Sequence, residues 1–208
     1  KCRILNTEEH RKKVIFAGME HTQKKIIIVH GWEASPENHW FPWLKLELLK
    51  LGCTVLIPAM PNTSHPMMNE WVLHLEHTIG KPNENTYLVG HSLGSVAIVR
   101  YLESLSEGEK IGGAILVAGF LEPIGYAELD SFFATPFDFE KIKSITKNII
   151  SIHSGNDSVV PMRNSELIED NLGAERIVVQ NAGHFNGGDG FTEFPIVLEK
   201  MRELINRL

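Results

Sequence analysis

An α/β fold, with a mostly parallel sheet of about six strands and helices on both faces, is predicted by three observations. From Lys25 onward, short runs rich in β-branched residues recur without polar alternation, as strands buried on both faces do. Segments with helical spacing separate these runs, and strict strand-helix alternation with short loops implies parallel pairing through right-handed crossovers. Finally, the pentapeptide Gly90-His91-Ser92-Leu93-Gly94 stands where one apolar run, Tyr87-Leu88-Val89, meets a strongly apolar helical stretch. That strand-turn-helix setting is what a nucleophile elbow requires, because glycines two residues either side let the chain fold back sharply around an exposed serine.

The predicted strands are Ile26–Val29, Thr54–Ile57, Thr86–Val89, Ala114–Ala118, Ile149–Ile152 and Ile177–Val179. Trp40, Trp43, Leu44, Leu48 and Leu51 mark a helix between the first two. The last helix is the clearest: Phe194, Val197, Leu198, Met201, Leu204, Ile205 and Leu208 recur at three- and four-residue steps, with Thr192 as the expected N-cap. One segment breaks the rhythm. Between Phe120 and Lys147 the chain holds Pro123, Gly125, Pro136 and five phenylalanines, Phe120, Phe132, Phe133, Phe137 and Phe139. A pocket wall and a helix packed on the sheet are both readings of it, and core packing is the favoured role for most of these rings.

A chain of 208 residues with 43% hydrophobic content suits one core. Residues 1–24 hold six Lys/Arg against three Glu, lack a clear period, and read as an N-terminal extension beside a domain at 25–208. The net charge of −6 argues against a nucleic-acid partner, since phosphate binding needs a concentrated basic face. Two cysteines, Cys2 and Cys53, make no disulfide framework, and a reducing cytoplasm is the expected location. No apolar run approaches the ~18 residues of a membrane span, so no membrane partner is expected. His74-Leu75-Glu76-His77 lacks the i,i+4 histidine spacing of a zincin helix, and Gly187-Gly188-Asp189-Gly190 lacks the ending of a phosphate-binding loop; neither metal nor cofactor is expected.

A serine hydroxyl is a weak nucleophile at neutral pH and needs a base, which in turn needs an orienting acid. Asp157 follows the run ending at Ile152, and His184 follows the run ending at Val179. The order Ser92, Asp157, His184, each past the carboxyl end of a predicted strand, matches a catalytic triad on an open parallel sheet. The expected oxyanion donors are the backbone N–H groups of Leu93, after the nucleophile, and Trp32, in the loop after the first strand. His91, Phe120 and Phe185 are the candidate pocket residues.

The pattern from Lys25 to Leu208 resembles the α/β-hydrolase superfamily, and more narrowly its small serine hydrolases of the retinoblastoma-binding-protein-nine and YdeN-like type. The match rests on His30-Gly31-Trp32, Asn38-His39-Trp40-Phe41-Pro42-Trp43-Leu44, Met60-Pro61-Asn62, the Gly90–Gly94 elbow, Asp157 with Val160-Pro161, and Gly183-His184-Phe185. The resemblance implies a compact α/β-hydrolase fold with little or no lid and Ser92, Asp157 and His184 as the triad. It points first to a carboxylesterase or amidase acting on a small ester or amide. The alternative is a protein-binding module of the same fold whose site is idle and whose exposed aromatics form the contact surface.

Overall fold

The computed structural model describes residues 23–207. Most of the expected N-terminal extension therefore lies outside the described residues. Six strands, β1 (Lys25–Val29), β2 (Thr54–Leu56), β3 (Thr86–His91), β4 (Gly113–Val117), β5 (Ile149–Ser154) and β6 (Glu175–Val179), form one sheet in the order β2-β1-β3-β4-β5-β6. Every pairing is parallel. Strand residues alternate between two cores, which is why polar alternation is missing from the sequence. Ile27, Val29, Leu88, Ala114 and Leu116 pack on one face; Ile26, Ile28, Val89, Ile115 and Val117 pack on the other.

Among the described residues, six α-helices cover the sheet: α1 (Phe41–Lys50), α2 (Met68–Ile79), α3 (Leu93–Ser104), α4 (Phe139–Ile145), α5 (Arg163–Leu172) and α6 (Pro195–Asn206). Trp71 and Leu75 of α2, the buried residues of α3, Ile142 of α4 and Ile168 of α5 share the first core, whereas Phe41 and Leu44 of α1 and Val197 and Met201 of α6 share the second. The chain thus winds one way from β1 to β2 and the other way from β3 to β6. The reversal leaves a crevice at the carboxyl ends of β1 and β3, where open parallel sheets bind their ligands.

Several local expectations are corrected. Helix α6 starts at Pro195, so its N-cap is Phe194 and not Thr192. Proline is pre-set for the first helical turn, and burying Phe194 in the second core outweighs a polar cap two residues earlier. Strand β6 also departs from the both-faces-buried pattern, because it is the sheet edge: Glu175 bonds Lys200 and Arg207, and Arg176 bonds Glu169. Charged side chains of this kind discourage pairing with another chain.

The Phe120–Lys147 segment folds into a 3₁₀ turn (Ala127–Phe133) followed by α4. Phe120 and Phe132 are fully buried, and Phe133, Phe137 and Phe139 continue an aromatic ladder with ring centroids 5.7–6.1 Å apart. Buried Arg100 of α3 fastens the segment. Its guanidinium donates to the carbonyls of Phe132, Thr135 and Pro136, pairs with Glu103 and lies 3.7 Å from the Phe137 ring centre. Each of those donors has a partner, as a buried cation requires.

Candidate active site

Ser92 sits between β3 and α3 with φ 53° and ψ −123°, a conformation that side-chain-bearing residues rarely adopt. Its N–H donates to the Val117 carbonyl at 2.9 Å, and its carbonyl accepts from the Ser95 N–H at 2.9 Å. The flanking glycines are there for space. A Cβ on Gly94 would stand 2.2 Å from the Val29 carbonyl oxygen, and one on Gly90 would stand 2.6 Å from the Ser95 backbone. Helix α3 is therefore pressed against β1 and β3 more closely than any side chain allows, and the turn is forced outward.

The loop after β1 faces that turn. A Cβ on Gly31 would lie 3.1 Å from Ser92 Cβ and 3.7 Å from the Leu93 nitrogen. His30 fixes the loop: its Nε2 accepts from the Met60 N–H at 3.1 Å, which leaves the proton on Nδ1 to donate to the Gly31 carbonyl at 2.9 Å. Burial holds the His30 pKa below the ordinary imidazole value, so this neutral tautomer persists. In a planar trans peptide the N–H points opposite the carbonyl, so holding the Gly31 oxygen on His30 directs the Trp32 N–H to the other side.

His184 lies beyond β6, 27 residues after Asp157. Its Nδ1 is 2.8 Å from Asp157 Oδ2, and Asp157 Oδ1 accepts from the N–H groups of Val159 (2.8 Å) and Val160 (3.0 Å). Only 3% of the Asp157 side chain and 12% of that of His184 are exposed. The backbone around His184 is held from three sides. Asp189 Oδ2 accepts the His184 N–H at 2.7 Å, His91 Nε2 donates to the His184 carbonyl at 2.8 Å, and Asn156 Oδ1 accepts from the Gly183 N–H at 3.0 Å. Burial above all, reinforced by the nearby His184, keeps the His91 pKa well below the ordinary value; its Nδ1 is buried without a partner.

A cavity of about 290 Å³ opens at this point, lined by Gly31, Trp32, Glu33, Ala34, Asn38, His39, His91, Ser92, His184 and Asn186. Of the residues expected at the site, Trp32, His91, Ser92 and His184 line it, Asp157 stands behind His184, and Leu93 follows the serine at the first position of α3. Phe120 and Phe185 do not line it. Phe120 stacks on Phe133 in the first core, and Phe185 is fully buried in the second, where its carbonyl accepts from the Trp40 indole. Phe120 opens the segment read as a pocket wall or a packed helix, and Phe185 directly follows His184, but the burial of each depends on helices from distant parts of the chain. Trp40 is likewise a core residue. The residues missed at the sequence level are His39, Glu33, Asn38 and Asn186. His39 had one available signal, its place in the Asn38-to-Leu44 stretch that carries the family resemblance.

The sequence profile described as Serine hydrolase matches residues 26–203. YdeN of Bacillus subtilis (strain 168) is 40% identical over 188 residues, which span 88% of this chain and 97% of YdeN. The crystal structure of that gene product superposes with a TM-score of 0.84, covering 88% of this chain and 98% of the other. The serine hydrolase RBBP9 of Rattus norvegicus is 25% identical over 187 residues, 88% of this chain and 96% of RBBP9. Est1E from Butyrivibrio proteoclasticus, at 14% identity and a TM-score of 0.63 over 86% of this chain and 89% of its own, shares the fold alone. Profile, relatives and sheet topology agree, and the chain belongs to the serine hydrolase family, on an α/β-hydrolase fold.

Proposed function

We propose that this hydrolase cleaves a small ester or amide through an acyl-enzyme, with Ser92 as nucleophile, His184 as general base and then acid, and Asp157 as the group that orients His184. The observation that supports this most directly is the convergence of a backbone-strained serine and a carboxylate-held histidine on one cavity. Attack by Ser92 Oγ on the substrate carbonyl carbon transfers the hydroxyl proton to His184. Collapse of the tetrahedral intermediate then passes that proton to the leaving group, and water repeats the sequence to release the acid. Because the Asp157 carboxylate accepts at Nδ1, the neutral imidazole presents Nε2 as the acceptor, and the imidazolium that forms is stabilised. The N–H groups of Trp32 and Leu93 are the proposed oxyanion donors; the second lies at the amino end of α3, where the helix dipole favours negative charge.

A cavity of about 290 Å³ and a Phe120–Lys147 segment packed into the core support short acyl chains over long ones. Each buried CH₂ contributes roughly 0.8 kcal/mol, so a long groove would give activity that climbs steeply with chain length. Labelling by a fluorophosphonate probe, lost in Ser92→Ala, tests the nucleophile. The kcat/KM series from p-nitrophenyl acetate through butyrate and octanoate to palmitate tests the pocket, with a maximum at or below butyrate expected; a maximum at octanoate or beyond overturns the small-pocket reading. The aromatic contact surface of the binding-module alternative is not supported by two of its tryptophans, since Trp40 is buried and Trp43 is only partly exposed. The cytoplasm is the proposed location, supported by the free, buried thiol of Cys53. Among the described residues no helix is long and apolar enough to cross a membrane.

A further inference from the structure

His39 lines the Ser92 cavity yet has no part in the triad or the oxyanion site. Its ring is fixed. Nδ1 accepts from the Gly187 N–H at 2.9 Å across 148 residues of sequence, and the ring stands edge-on to Phe41 (5.3 Å) and His91 (5.4 Å). With Nδ1 committed as an acceptor, the proton of the neutral imidazole belongs to Nε2. Among the described residues Nε2 has no protein partner, and it is not a buried orphan like the Nδ1 of His91. That donor therefore stands on a ring that lines the cavity. The residue also sits at φ 55°, so the backbone holds a disfavoured conformation where this ring enters the site.

The pKa of His39 lies below the ordinary imidazole value, chiefly through burial and secondly through His184. Protonation of His184 during the reaction opposes a second positive charge beside it, so His39 stays a neutral N–H donor through the catalytic cycle.

We propose that His39 Nε2–H donates a hydrogen bond to an acceptor oxygen of the substrate close to the scissile bond, so that the enzyme favours oxygen-substituted acyl or alkyl groups over plain hydrocarbon ones. This rests on the serine hydrolase reading of the same cavity. Glu33 offers only acceptor oxygens, whereas Asn38 and Asn186, whose Oδ1 atoms accept from the Ser35 and Asp189 N–H groups, keep amide donors on flexible side chains; His39 is the lining donor whose ring is fixed by its own hydrogen bond. A plain hydrocarbon would leave the His39 N–H desolvated and unpaired, which is the larger part of the discrimination.

Two substitutions separate this role from that of tying the His184 loop to the start of α1. In His39→Asn the amide oxygen can take the place of Nδ1 and keep the Gly187 contact, but nothing reaches the Nε2 position; asparagine also tolerates positive φ. His39→Gln restores a donor near the Nε2 position and loses the Gly187 acceptor. The substrates are isosteric pairs: p-nitrophenyl methoxyacetate against p-nitrophenyl butyrate for the acyl side, and 2-methoxyethyl butyrate against n-butyl butyrate for the leaving side. The wild-type preference for the oxygenated member, as a ratio of kcat/KM values, is expected to fall roughly five- to tenfold in His39→Asn for one pair, and to be largely kept in His39→Gln. The pair that responds identifies the side of the scissile bond. Unchanged ratios in His39→Asn for both pairs overturn the proposal, as does an equal loss in both variants. Fluorophosphonate labelling of Ser92 in all three proteins keeps the two readings apart: labelled, ester-cleaving proteins with unaltered ratios refute the role of His39 alone, whereas an unlabelled wild type refutes the hydrolase reading beneath it.

Discussion

The Ser92 turn and the His184 loop meet in one cavity, but they are held by different physics. Ser92 is placed by packing: Gly90 and Gly94 admit no side chain, α3 is buried from Leu93 to Leu102, and two backbone hydrogen bonds close the turn. His184 is placed by polar contacts that arrive from Asp157, Asp189, His91 and Asn156, on a loop anchored by buried Ala182 and Phe185 but exposed at 180–181 and 187–190. A packed turn has one arrangement and fails with the fold, whereas a hydrogen-bonded loop can lose single contacts and lose function by degrees.

The largest expected effect joins the two regions. Ser92→Ala and His184→Ala should each cut kcat by about 10⁶-fold, and the double variant should be hardly worse, because the pair acts as a unit. Independent, multiplying losses on p-nitrophenyl acetate would show that the residues do not work together. Next, Asp157→Asn should cost about 10⁴-fold, since an amide favours the wrong imidazole tautomer. Asp189→Ala removes only a backbone anchor and should cost roughly tenfold, given that one charge-assisted hydrogen bond is worth ~1.5–3 kcal/mol and other contacts remain. If the two were ranked the other way, Asp189 would be the orienting acid.

The histidine side should also be the acid-sensitive one. Burial lowers the pKa of His153, near the end of β5, to about 4, and holds that of His91 well below the ordinary value. A folded-state value below the unfolded one means that the unfolded chain binds the proton first. His153 therefore costs no stability above about pH 6.5, and stability is lost as pH falls from there toward 4, by roughly 3 kcal/mol for this residue at most. Urea unfolding of His153→Leu should show a shallower fall over that window, and an identical slope would remove His153 from the account.

On the packed side, Gly94→Ala should destabilise by at least about 3 kcal/mol, because its Cβ would meet the carbonyl oxygens of Val29 and His30, which cannot step aside. Wild-type stability in that variant would mean the turn is looser than its contacts imply. The smallest effect has the opposite sign. Ser92→Gly relieves the positive φ and should unfold at higher urea than Ser92→Ala, by about 1 kcal/mol, although both are inactive.

Six strands and the elbow were legible in the sequence because their causes are local or periodic. A strand buried on both faces must be an unbroken apolar run, and a turn forced outward by close packing must have glycine where Cβ atoms would collide. The order of Ser92, Asp157 and His184 was legible for a related reason, since a parallel sheet gathers the ends of all its strands along one edge. Even the failures follow this division. Thr192 looked like a cap because capping is read from a few neighbouring residues, yet burial of Phe194 against α1 and Pro195 at the first turn moved the helix start. Phe120 and Phe185 looked like pocket residues, and only the helices packed around them decided that they belong to the two cores. The sequence by itself determined the fold class and the members of the candidate triad, because hydrophobic period and glycine spacing are written along the chain. Tertiary structure alone decided that Asp157 meets the His184 ring while Asp189 meets its backbone, and that His39 reaches the cavity through Gly187, because these contacts join segments whose separation in space no local pattern records.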